Sequence, residues 1–188
     1  MQTIYTILQS HNLIWTREQI LIALAVITIA ALLLAIPLRR RQMSLGEFFA
    51  GLGIIIYAVI ILGGTVFFRP VIGAAYQLDP LVEYRAIVSG LMVGDSYVVR
   101  LYAIEIVINL LMLAPVGLLL PWALGRRVAW WQGLALGAVV SLVVEVLQFA
   151  MDVGLFQTAD VIHNALGCMV GCVVGSAVLK SFKERAEK

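Results

Sequence analysis

Charge is scarce in this chain. Only 13% of its 188 residues are Asp, Glu, Lys or Arg, against 62% hydrophobic residues and a mean hydropathy of +1.01. A water-soluble domain of this size cannot hide that much apolar surface, so the shortage of charge excludes the ordinary soluble classes and leaves an integral membrane protein. The formal net charge of +2 is carried by short basic clusters between apolar runs, which is topology signalling and not a nucleic-acid footprint. Cysteine is equally sparse. Cys168 and Cys172 lie four apart inside an apolar run, a spacing that fits neither a zinc finger nor a disulfide framework, so packing is the expected role. No cofactor is expected.

Five apolar segments are long enough to cross a bilayer, near 19 to 38, 48 to 68, 101 to 123, 130 to 151 and 161 to 179, given that a span needs about 20 residues. The expected fold is therefore all-α and integral to the membrane. The first segment is no cleaved leader, because Arg39, Arg40 and Arg41 follow its apolar run instead of preceding it. Orientation follows from the basic residues. With the N-terminus outside, the cytoplasm receives Arg39, Arg40, Arg41, Arg126, Arg127, Lys180, Lys183, Arg185 and Lys188, and the exterior keeps Arg17, Arg69, Arg85 and Arg100. That imbalance predicts N-out, C-in.

The parts expected are an external or interfacial stretch over 1 to 18, spans one and two over 19 to 68, an external connection over 69 to 100, a core bundle of spans three to five over 101 to 179, and a basic cytoplasmic tail over 180 to 188. Trp122, Trp130 and Trp131 flank the Arg126–Arg127 turn as headgroup-level anchors. The connection is too apolar for a solvated loop, and Pro70, Gly73, Pro80, Gly90 and Gly94 break it too often for a sixth span. It is expected to lie on or dip into the interface.

Polar residues then fall into one layer. Glu105 and Asn109 occupy the first turns of span three, Glu145 and Gln148 the last turns of span four, and Asp160 and Asn164 open span five. Each pair is three or four residues apart and so shares a helical face. Glu145 lies about 9 Å below the end of its span at a rise of 1.5 Å per residue. A carboxyl at a span centre costs roughly 2.5 to 3.5 kcal/mol on insertion scales, so Glu105 and Glu145 are read as functional. Asp160 sits where an N-cap would, and Asn109, Gln148 and Asn164 are as readily packing groups as ligands. His163 has one acid close by in sequence, a poor metal signature, and is read as a polar packing residue. Arg85 and Arg100 are the cations available to form a salt-bridged lid over the acids.

Small residues recur every four positions at Gly133, Gly137 and Ser141, and again at Gly167, Gly171 and Gly175. Such ladders let helices approach closely in lipid. Because a short turn joins spans four and five, the first ladder is expected to face Gly171 and Gly175. Pro115, with Gly117 beyond it, frees the carbonyl of Leu111 and predicts a kink in span three.

The runs NLLMLAPVGLLLP from Asn109, EVLQ from Glu145 and ADVIHNALGCMVG from Ala159, in that order and spacing, resemble the VanZ-like membrane proteins. The resemblance covers roughly the last ninety residues. It implies a bacterial plasma-membrane protein linked to resistance against the glycopeptide teicoplanin, with Asn109, Glu145, Gln148, Asp160 and Asn164 as its candidate positions. Members of the family often place an arginine after the glycine before the fifth span, whereas Leu155 follows Gly154 here, which speaks against anion binding at that turn.

Three functions are open on this reading. One is an envelope protein binding an amphiphile, such as a lipid-linked cell-wall intermediate or a lipoglycopeptide, through its carboxylates and amides. Another is an intramembrane enzyme using Glu105 and Glu145 as acid and base on a lipid headgroup, although no Ser, Cys or Lys nucleophile accompanies them. The third is a structural helper of an envelope complex.

Overall fold

The computed structural model describes residues 15–186; the expected N-terminal segment therefore lies almost wholly outside the described residues. Five helices are long and apolar enough to span a membrane: Arg17–Arg39, Leu45–Phe67, Ser96–Ala123, Trp130–Ala150 and Thr158–Arg185. The chain is an all-α, multi-pass membrane protein. Spans one, three and five overrun the expected bounds because their polar caps and tails continue the helix past the apolar core, whereas span four matches to within one residue.

Helix α1, Arg17–Arg39, begins at a reciprocal cap in which Thr16 accepts from Gln19 N and the Gln19 side chain accepts from Thr16 N. Helix α2, Leu45–Leu62, starts the same way with Ser44 and Glu47. It runs into a π-helical turn, Gly63–Phe67. The following connection, expected to lie on or dip into the interface, contains a short strand β1, Ala75–Gln77, and a helix α3, Val82–Val93. At about 1.5 Å per residue α3 is far too short to cross a bilayer. Gly94, at φ +73°, closes the turn after α3, and Asp95 accepts from Tyr97 N and Val98 N to start helix α4, Ser96–Met112. Helices α3 and α4 pack side by side as a hairpin.

Span three does not bend continuously at its proline. It breaks at Leu113, and helix α5, Ala114–Ala123, restarts with Pro115 in its first turn, where a missing N–H costs no helical bond. Helix α6, Trp130–Ala150, leads through strand β2, Leu155–Gln157, into helix α7, Thr158–Ala186. Strands β1 and β2 pair in parallel, Tyr76 opposite Phe156 and Gln77 opposite Gln157.

Helix α7 is the axis of the molecule. Half of its apolar window is buried, against 6% for α1, and it packs on α4, α5 and α6. Here the glycine ladders depart from expectation. Gly133 approaches Cys172 and the backbone of Met169, and Gly137 approaches Cys168 and Ala165. Gly167, Gly171 and Gly175 instead lie against backbone atoms of Leu110, Ala114 and Leu118 on α4 and α5. The ladders do not meet. Each glycine row receives a different neighbour, because Cys168 and Cys172 stand one residue, about 100° of helix, round from Gly167 and Gly171. The cysteines are free and wholly buried in the core.

Candidate functional site

The polar layer gathers at the end of the bundle where α6 finishes and α7 begins. At the tip of α6, Glu145 is 2% exposed and its Oε2 accepts from Gln157 N at 2.8 Å. The backbone N–H of β2 thus holds the carboxylate in place. One turn on, Gln148 Nε2 donates to Thr65 O at 3.0 Å. Thr65 lies in the π-turn, among the last carbonyls of its helix, which have no intrahelical partner. From the start of α7, Asn164 donates to Ser141 Oγ at 2.9 Å while its own Oδ1 is buried with no hydrogen-bond partner among the described residues. Asp160 Oδ1 accepts from Asn109 Nδ2 of α4 at 2.5 Å.

Glu105 and Asp160 are each only half-buried, so they are the acids reachable from the surroundings. Glu145, Glu83 and Glu105 all lie close enough to act electrostatically on Asp160. Arg69 is the cation that acts on Glu145. Of the two arginines expected as a lid, Arg85 is exposed and bridges Asp79 at 3.0 Å, and Arg100 turns its Nε back to Ser96 O at 3.1 Å. Both are held by their own local segment, which leaves the acids without them. Grooves lined by Phe182 and Arg185, and by Phe49 and Trp122, lie at the opposite end of the bundle and are mainly apolar.

Sequence reasoning missed Glu83 and read His163 only as a polar packing residue. Glu83 opens α3 and is 0% exposed, and neither of its carboxyl oxygens has a hydrogen-bond partner among the described residues. Burial first, and the nearby Glu105 second, push its carboxyl above the ordinary range. His163 is 2% exposed; its Nε2 is 2.8 Å from Tyr84 Oη and its Nδ1 is 3.8 Å from Glu83 Oε2. Ligand-grade atoms of Glu83, Asp160 and His163 all lie within 4.8 Å of one another. This grouping does not show in the sequence, for a plain reason. The second acid comes from a connecting helix, and Tyr84 and His163 are 79 positions apart in sequence. The signal that could have found it was a carboxyl in the apolar run LVEYRAIV, bounded by Pro80 and Gly94, a length and composition that suit a helix.

Fold and site together define a multi-pass membrane protein with a buried acid and histidine cluster at one end of its helices, suited to binding a ligand or an ion. The chain belongs to the VanZ/LLP1 family, whose model matches residues 54–179. The match starts inside α2 and takes in α3, so Glu83 lies within the family region, beyond the ninety residues on which the resemblance rests. No curated protein matches the chain, and no solved structure does.

Proposed function

We propose that the polar end of the bundle faces the outside and holds the head of an amphiphile taken from the outer leaflet. The candidates are a lipid-linked cell-wall intermediate or a lipoglycopeptide such as teicoplanin. The observation that carries the reading is the convergence of Glu105, Glu145 and Asp160, from three different spans, with Asn109 among them. Carboxylates only accept hydrogen bonds, so such a site suits hydroxyl, amine or amide heads and repels bare phosphate. Glu105 and Asp160 meet the head first, while Asn109, Gln148 and Asn164 fix the surrounding helices.

Two experiments test this. A cytoplasm-dependent reporter fused to Lys188 is expected to be active; silence there, with an exterior-dependent reporter active at the same position, would reverse the orientation. Glu145→Gln keeps an acceptor for Gln157 N and removes only charge, so normal expression is expected. Teicoplanin binding by the purified Glu105→Gln, Glu145→Gln double variant should fall at least tenfold, and unchanged affinity would reject the headgroup site. Chemical conversion of envelope lipids by the wild-type protein would favour an intramembrane enzyme instead.

A further inference from the structure

We propose that Glu83, Asp160 and His163 form a binding site for one divalent transition-metal ion, of the zinc or manganese type. The inference deepens the headgroup reading, since Asp160 belongs to both sites, and rests on it only for what the ion would serve.

The argument starts from atoms that ought not to be alone. A buried carboxylate normally accepts hydrogen bonds on both oxygens, and leaving it without any is costly. Glu83 has none among the described residues, and His163 Nδ1, equally enclosed, points toward it. Their 3.8 Å separation is too long for a hydrogen bond. Neither tautomer of the ring repairs this. With the proton on Nε2, that nitrogen donates to Tyr84 Oη and a bare Nδ1 lone pair faces a carboxylate; with the proton on Nδ1, the donor stops short of its acceptor.

A cation between them removes the difficulty for the tautomer protonated on Nε2, whose bare Nδ1 lone pair becomes a metal ligand beside the carboxylate. Metal bonds of about 2.0 to 2.2 Å place two ligand atoms roughly 3.4 Å apart around a tetrahedral ion, close to the observed 3.8 Å. The spread of the three ligand atoms, within 4.8 Å, closes onto one ion by small side-chain rotations. Two carboxylates also balance a 2+ charge, while Arg69 acts on Glu145 and Arg85 is paired with Asp79.

The donor set selects the metal. Imidazole with carboxylate suits zinc, manganese or iron, whereas calcium asks for six to eight oxygens and magnesium for an octahedron of oxygens. The thiols of Cys168 and Cys172 are packed against Gly137 and Gly133, away from the site. Tyr84 supplies what a metal-bound histidine ordinarily has, a partner on the other ring nitrogen that fixes tautomer and orientation. Three protein ligands leave a coordination position open to water or to a ligand's oxygen.

The test uses the full-length protein in detergent, stripped with chelator, reloaded with Zn²⁺ or Mn²⁺, desalted and assayed for metal. About one ion per chain is expected, with retention down at least tenfold in Glu83→Gln and His163→Ala, and affinity weaker by about 10- to 100-fold in Tyr84→Phe. Less than a tenth of an equivalent on the wild-type protein, or full retention in both ligand variants, overturns the site. Should those variants not fold, X-ray absorption on the zinc-loaded wild type decides: one imidazole with carboxylate oxygens supports the site, and a shell without imidazole rejects it. Teicoplanin binding is measured separately on stripped and loaded protein. Loss of metal binding with amphiphile binding intact removes the ion alone, and the reverse removes the headgroup reading alone.

Discussion

Gly171→Leu is expected to stop the bundle from assembling. Any side chain at Gly171 is driven into the carbonyl oxygen of Ala114 and lies 2.8 Å from Leu118 N. Both are backbone atoms of α5, so no rotamer change makes room. Overpacking a close-packed interior costs about 1 to 3 kcal/mol, and more when backbone must move. Because helix association in lipid relies on such close packing and lacks a hydrophobic drive, a loss of 3 kcal/mol or more is expected. Even Gly171→Ala should lower the melting temperature in detergent clearly. Gly64→Ala is the control: a methyl group there meets nothing within 4 Å, so its melting curve should overlay the wild type. A Gly171→Leu protein that elutes as a monodisperse peak and melts normally would show that α7 does not lie against α4 and α5 as described.

The glycine ladders also show what a sequence can and cannot say. Spacing of four marks a helix face as a close-contact face, and both ladders are such faces in the structure. It does not name the neighbour. Antiparallel succession made α6 and α7 neighbours, and they are, but α7 is touched from several sides and offers α6 its cysteine face, keeping its glycines for α4 and α5. The five spans were legible because apolar runs of that length have few alternatives in a 188-residue chain. Their ends were less so, since caps such as Asp95 and the helical tail through Lys183 lie outside the apolar runs.

For the polar end the same division holds. Glu105, Glu145 and Asp160 stand out because acids are rare in apolar spans, and Glu145 and Asp160 are brought within electrostatic reach of each other. Glu83 was invisible for the opposite reason. It sits in a connection whose prolines and glycines suggest irregular chain, and only the fold shows that α3 turns back to lay this carboxyl against His163. A histidine's role is set by the groups facing it in space, and here they are contributed from before α4.

Asn109→Leu is expected to destabilise the bundle through its polar end, and its companion variants identify the cause. Asn109 Nδ2 is the hydrogen-bond donor to Asp160 Oδ1 across the α4–α7 interface. Interhelical hydrogen bonds in membranes are worth only about 0.6 kcal/mol on average, which would make this substitution mild. Here, however, loss of the donor strands a half-buried acid at the helix interface, and leaving such a group unsatisfied costs roughly 1 to 3 kcal/mol, so a loss near 2 kcal/mol is expected. Asp160→Leu alone orphans the amide. The double variant should recover part of the loss, a coupling of about 1 kcal/mol in a double-mutant cycle on chemical or thermal unfolding in detergent. Strict additivity of the two variants would mean that the amide and the acid do not stabilise one another, and that α4 is held to α7 by glycine packing alone.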